Sequence, residues 1–359
     1  MNEMFKDSTY FPIIRTRQAE LNGYAQLSDE AKDRIVPLIT LGKWRNSEGC
    51  EKAIDKVNEC AGGRSYILDL TMDIQHQNEA VRELLNPDAN FKNWVSFVQQ
   101  NPQIIPTVQF TPNAKGRDIV RQAVSLEKLG RPPVFRIKDF KSDVDNTLKA
   151  LYALDSPENS LIVIDAGYIR DFSTKNIKPG ILESILNTLN LIVEEVPEVP
   201  RVLAGTSFPR SVIPFLSEGS ETSGKIEMLE SMLYEEIGSD IVMYGDHVSI
   251  HSVVYDDEGG TFLPRLDVPD AGFWHFERRP RTKSEGYISC AESLLRDHPS
   301  LGDNECWGAQ MIRNTVTRDG ATINAPVTAI AVRVNLHMNY QIEMLSGRIS
   351  NSEEDDWIF

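Results

Sequence analysis

The sequence predicts an α/β protein, a (β/α)8 TIM-like barrel with an appended β-hairpin and C-terminal helices. Three observations carry this reading. Short apolar, β-rich runs recur through the first two-thirds of the chain, eight in all. Most are continuous rather than alternating, as in parallel strands buried on both faces. Helix-like segments separate them at roughly 25–40 residues per unit, the rhythm of βαβ units with right-handed crossovers. Eight such units can close on themselves. An open doubly wound sheet is the competing arrangement, but no Gly-rich dinucleotide turn follows the first strand.

In chain order the strand runs are Tyr10–Ile14, Ile35–Leu41, Ser65–Leu70, Ile104–Phe110, Pro133–Ile137, Leu161–Asp165, Arg201–Gly205 and Asp240–Tyr244. Between them, Ser47–Cys60 puts Ala53, Val57 and Cys60 on one side, and Gly116–Leu129 repeats apolar residues at helical spacing before Gly130. Asp143–Leu154, Gly180–Val193 and Glu227–Ile237 follow the same pattern. The rhythm breaks after Tyr244. His247–Tyr255 and Gly272–Arg278 read as further strands, with Asp256–Gly260 as a turn between them, and either could instead close the barrel. Ser284–Arg296, Cys306–Arg318 and Ile323–Leu345 read as helices, and Ser217–Gly224 as a low-complexity loop. The implied organisation is a barrel over 1–255, strands and helices packed on it over 256–346, and an acidic-hydrophobic tail over 347–359.

Composition bounds the function. Asp and Glu number 53 against 37 Lys and Arg, a net charge of −16 over 359 residues. Such a body is a poor general binder of phosphate backbones, and suits basic partners, solubility or nucleic-acid mimicry. Cys50, Cys60, Cys290 and Cys306 form no C-x-x-C pair, which argues for reduced thiols over a zinc ribbon. Met1–Asp7 has no apolar signal region, and no apolar stretch is long enough to span a bilayer. The chain reads as cytoplasmic, with no membrane partner.

A barrel gathers its chemistry just after the C-terminal ends of its strands. The catalytic candidates there are Asp69, Asp165, Asp246 and His247. Asp69 and Asp165 each close an apolar run and so require a partner. Arg15, Arg136 and Lys138 form a prospective anion patch, and Ser207, in the turn Gly205–Pro209, could cap a helix or bind an anion. That turn lacks the G-x-S-x-G pattern of a nucleophile elbow. His247 and His251 stand at i, i+4, but their neighbours alternate like a strand, where that spacing is about 13 Å, so no metal site is assigned. No cofactor is expected, although Mg2+ or Mn2+ would serve if the carboxylates act as metal ligands.

Two segments suggest partners. Arg278, Arg279, Arg281 and Lys283 are the densest basic run and could meet a phosphate backbone. Asp355, Asp356, Trp357, Ile358 and Phe359 combine acids with a terminal apolar anchor, suited to docking another protein of the same pathway. This ending resembles the acidic-hydrophobic tip of bacterial single-stranded-DNA-binding proteins, although Trp357 departs from the usual proline-containing form.

Tyr10–Arg15 with Glu20, Pro37–Ile39, Ile67–Asp69, Gly205–Pro209, Tyr244–His247 and Cys306–Gly308, in this order, resemble the bacterial and phage beta protein family. The likeness spans roughly residues 10–320. His247 stands where relatives tend to carry Tyr, and Ala309 where they tend to carry Asp. The resemblance implies a fold and leaves the chemistry open. Members recur in phage-linked and defence-type gene neighbourhoods, which implies a role in phage–host conflict. Two functions follow as expectations. One is a partner-binding module using the barrel mouth and the tail. The other is a metal-dependent enzyme acting on a phosphate-bearing small molecule or nucleic-acid end.

Overall fold

The computed structural model describes Phe5 and residues 8–254, 263–280 and 283–347. Its strands are β1 (Tyr10–Arg15), β2 (Leu38–Leu41), β3 (Tyr66–Leu70), β4 (Ile104–Pro106), β5 (Val134–Ile137), β6 (Leu161–Tyr168), β7 (Arg201–Thr206), β8 (Ser223–Glu227), β9 (Met243–Asp246), β10 (Arg265–Asp270) and β11 (Phe273–Arg278). Eight of them form one parallel sheet in the order β4-β3-β2-β1-β9-β7-β6-β5. Its two ends meet through the parallel bridge of Thr107 with Val134, where the Val108 N–H donates to the Val134 carbonyl at 2.8 Å. The eight runs therefore form a nearly closed barrel, and β9 is the strand that joins β7 to β1.

The two faces of each strand bury different residues, because side chains alternate along a strand. Phe11, Ile13, Leu38, Ile67, Val134, Val163 and Val202 pack together in the barrel interior. Tyr10, Ile14, Ile39, Leu68, Ile162 and Leu203 face outward and pack against the surrounding helices. Gly245 lies among the interior positions because no side chain fits: a Cβ there would stand 2.9 Å from the Phe11 carbonyl oxygen and from Val202. The helices Glu51–Ala61, Gly116–Lys128, Ser142–Leu151, Ile181–Glu195 and Leu229–Ile237 occupy the connections the apolar spacing marked. Gln18–Ala25 and Asp88–Gln100 are helices that the periodicity did not mark.

The appended part differs from the sequence expectation. His247–Tyr255 is not a strand over its described residues: Val248 and Ser249 are left-handed at φ 49° and 55°. Asp246 fixes this turn by accepting the Val248 N–H at 2.8 Å. Tyr255 and the turn Asp256–Gly260 lie outside the described residues. The partner of β11 is instead β10, joined through Ala271 and Gly272, both at positive φ, as a two-residue hairpin requires. β10 carries Pro269, which its position at the sheet edge tolerates. The other side of β11 pairs with β8, so the apparent loop Ser217–Gly224 runs into a strand.

The helices Lys283–Asp297, Trp307–Thr317 and Pro326–Leu345 complete this part. Pro326–Leu345 is buried on most sides and lies against Gln18–Ala25. Gly23 permits that contact, since a Cβ would stand 2.6 Å from the Ala331 carbonyl oxygen. All four cysteines are free thiols, and no helix among the described residues is long and apolar enough to cross a membrane.

Candidate binding site at the barrel mouth

The C-terminal strand ends bring Arg15, Asp69, Arg136, Lys138, Asp165 and His247 together. Asp69 sits near the end of β3, Arg136 within β5, Asp165 within β6, and His247 one residue past β9. A cavity of about 480 Å³ opens over them, with Arg15, Thr40, Arg136, Lys138, Asp165 and His247 in its walls.

Arg136 organises the floor. Its Nη1 donates to Asp69 Oδ2 at 2.7 Å and to Thr40 Oγ1 at 3.0 Å. Its Nε and Nη2 both donate to Asp165 Oδ2, at 3.0 and 2.7 Å. Asp69 also accepts from Lys138 Nζ at 3.1 Å and from Thr107 Oγ1 at 2.9 Å. Asp165 Oδ1 accepts from the Gly167 N–H at 2.9 Å and meets His247 Nε2 at 2.8 Å. An ionised carboxylate only accepts, so this contact places a hydrogen on His247 Nε2.

Burial alone would push both carboxyls up. For Asp69 the charges of Lys138 and Arg136, and for Asp165 those of His247 and Arg136, outweigh it and hold each well below the usual range. Both are therefore ionised and already neutralised. Arg15 is committed too, to Glu20 at 3.3 Å and to the His251 carbonyl at 2.9 Å. Lys138, with a side chain 43% exposed, is the cation that reaches from this floor into solvent. Among the described residues no three His, Cys, Asp or Glu side chains are grouped to hold a metal ion.

Asp246 and Ser207 are not at this mouth. Tyr244 and Asp246 share the outward face of β9, opposite to Gly245. Asp246 there accepts from Tyr10 Oη, from Tyr244 Oη at 3.0 Å and from His337 Nε2 at 2.7 Å. His337 Nδ1 in turn accepts from Trp274 Nε1 at 3.1 Å, which joins the barrel wall to the C-terminal helix and the antiparallel sheet. Ser207 Oγ donates to the Glu230 carboxyl and accepts the Leu229 N–H at 3.0 Å. It caps the helix Leu229–Ile237, and its place beside a carboxyl does not suit an anion. Burial pushes Glu230 up to about 7, with its Oε1 unpartnered. Strand parity signals the direction of Asp246, but Glu230, Trp274 and His337 arrive from elements that no local pattern links to β9.

The remaining residues separate. His251 stacks on Tyr168 at 4.3 Å, and burial pulls its imidazole down to about 4. The basic run is not one patch. Arg279 is spent on Glu277, Ser289 and Ser293, whereas Arg278 faces a different cavity, beside β10. Arg281, the Lys283 side chain and the tail residues Asp355, Asp356, Trp357, Ile358 and Phe359 lie outside the described residues.

A family model described as Beta protein matches residues 10–343. Protein beta of Enterobacteria phage P4 is 43% identical over 359 residues, covering 99% of each chain. Among solved structures, the crystal structure of Cj0485 dehydrogenase aligns with 56% of this chain and 71% of its own, at 9% identity and a TM-score of 0.24. That level of likeness carries no argument. The match over nearly the whole length, with the order of motifs from Tyr10 to Gly308, places the chain in the Beta protein family.

Proposed function

We propose that this protein is a partner-binding module whose barrel mouth recognises an anionic group, with the acidic-hydrophobic tail as a second contact. The observation that supports this most is the position of Arg136 between Asp69 and Asp165. The carboxylates that would bind a metal already neutralise a guanidinium, so the floor is a rigid platform. Lys138 remains as the group that meets solvent. The phage source of the 43% relative supports a role in phage–host conflict. Affinity capture from infected cells tests the reading. Lys138→Glu and deletion of Glu353–Phe359 should each lower recovery of a co-purifying protein, and the two together should abolish it. Unchanged recovery with both would sink it.

One observation favours the enzymatic alternative. His247 lines the cavity and is oriented by Asp165, an arrangement that suits a general base. Turnover of phosphate-bearing substrates with Mg2+ or Mn2+, lost in His247→Gln, would establish it.

A further inference from the structure

A second cavity, of about 410 Å³, lies outside the barrel mouth. Its walls come from the loop after β7, from strands β10 and β11, and from the N-terminal half of the helix Pro326–Leu345. Arg210, Arg265, Arg278 and Arg333 line it, and Asp267 is the carboxylate among them. Four guanidiniums against one carboxylate make a cationic pocket in a chain of net charge −16.

The centre of the pocket is built. Arg333 and Asp267 are 6% and 3% exposed. Asp267 Oδ2 accepts from Arg265 Nε and from Arg333 Nη1, each at 3.1 Å. Both bonds converge on one oxygen. Asp267 Oδ1 and Arg333 Nε are buried and have no partner. A buried acceptor and a buried donor, both on residues of the cavity wall, thus lack the hydrogen bonds that burial normally demands. The Arg333 guanidinium is also held 4.3 Å over the Phe208 ring, which fixes its plane. Val212, Ile213 and Ile330 supply apolar wall beyond the charged centre.

The geometry points to a binding site for a phosphate monoester, held by Arg265, Arg278 and Arg333, whose P–OH donates to Asp267 Oδ1 while another oxygen accepts from Arg333 Nε. A phosphate with a second pKa near 6 still carries that proton in part at mildly acid pH. Sulfate has no proton to donate there and would set an oxygen against the open Asp267 oxygen. A carboxylate has the same defect and fewer oxygens to offer. The cavity lies within the roughly 300–1,000 Å³ of small-ligand sites, with room for the organic part of the ester along the apolar wall.

Calorimetric titration of the full chain at pH 6 tests this, with inorganic phosphate, ribose 5-phosphate and sulfate at matched ionic strength. Phosphate and its monoester should bind saturably, and sulfate at least tenfold more weakly. Arg278→Gln, at a partly exposed position, should weaken phosphate binding tenfold or more. Asp267→Asn should narrow or reverse the preference over sulfate, because the amide can donate. Lys128→Gln, at an exposed position in the wall of neither cavity, should change nothing. Equal affinity for phosphate and sulfate, no saturable binding, or binding lost in Lys138→Gln but kept in Arg278→Gln would overturn the assignment. The last result would move the anion to the barrel mouth.

Discussion

The inner and outer faces of the barrel both bury carboxylates, and they satisfy them in opposite ways. Inside the mouth, Asp69 and Asp165 are balanced by charge, with Arg136 between them and Lys138 and His247 at the sides. On the outer wall, Asp246 is surrounded by the hydroxyls of Tyr10 and Tyr244 and the imidazole of His337, and Glu230 carries no ion pair among the described residues. The difference follows from access to water. The mouth opens to solvent through its cavity, and long cationic side chains reach in from strand ends. The wall is sealed by Trp274 and the helix Pro326–Leu345, where hydroxyl donors such as those of Tyr10 and Tyr244 cost less to bury than ions. On the reading proposed above the mouth keeps its charge for recognition, while Asp246 fastens the appended part to the barrel through His337.

The largest effect should come from Arg136→Met. It leaves Asp69 and Asp165 facing each other without the guanidinium, and breaking one side of a buried ion pair costs about 3–5 kcal/mol. Urea unfolding measures it, and a loss below about 1 kcal/mol would mean that the mouth is more hydrated than its burial indicates. Next is His337→Phe, which strips Asp246 and the Trp274 N–H of a partner at once. A loss of roughly 2–3 kcal/mol is expected. His337→Phe combined with Trp274→Phe should cost less than the sum of the two single changes, because the orphaned indole donor is then gone.

Acidity separates the two regions by sign. The mouth aspartates are held below their ordinary range, so their stabilisation is present above about pH 4 and is lost as the pH falls further. Glu230 is raised from 4.5 to about 7, so its contribution is full below pH 4.5 and is lost as the pH rises through 7. Glu230→Gln should therefore gain stability over the parent between pH 5 and pH 8, on the order of 2 kcal/mol. Melting temperature against pH reads this directly. A parallel profile for parent and variant would place the proton elsewhere. The smallest effect is that of Lys138→Gln. Its half-exposed ion pair with Asp69 is worth at most about 1 kcal/mol, so stability should barely change while recognition at the mouth falls.

The strands were legible because continuous apolar runs such as Tyr66–Leu70 and Leu161–Asp165 have few alternatives to burial in a parallel sheet. The mouth group of Asp69, Arg136, Lys138 and Asp165 was legible for a related reason. A charged residue that ends such a run must emerge at one end of the barrel. The position after a strand does not say which face a side chain takes, and so Asp246 and Ser207 went to the wall. β8 and β10 were missed because their residues are polar or include Pro269, and only pairing with β11 makes strands of them.

By itself, then, the order of residues determined the eight-fold βα rhythm, the acidic charge and the side chains available at the strand ends. These depend on local periodicity and on composition, which need no partner distant in the chain. The tertiary structure decided that Arg136 binds two aspartates, that His337 reaches Asp246, and that Arg265, Arg278 and Arg333 share one pocket. Those contacts join residues as many as 91 positions apart, as for His337 and Asp246. Only chain closure and packing bring such groups within hydrogen-bonding distance, where the low dielectric of the interior makes their pairing decisive.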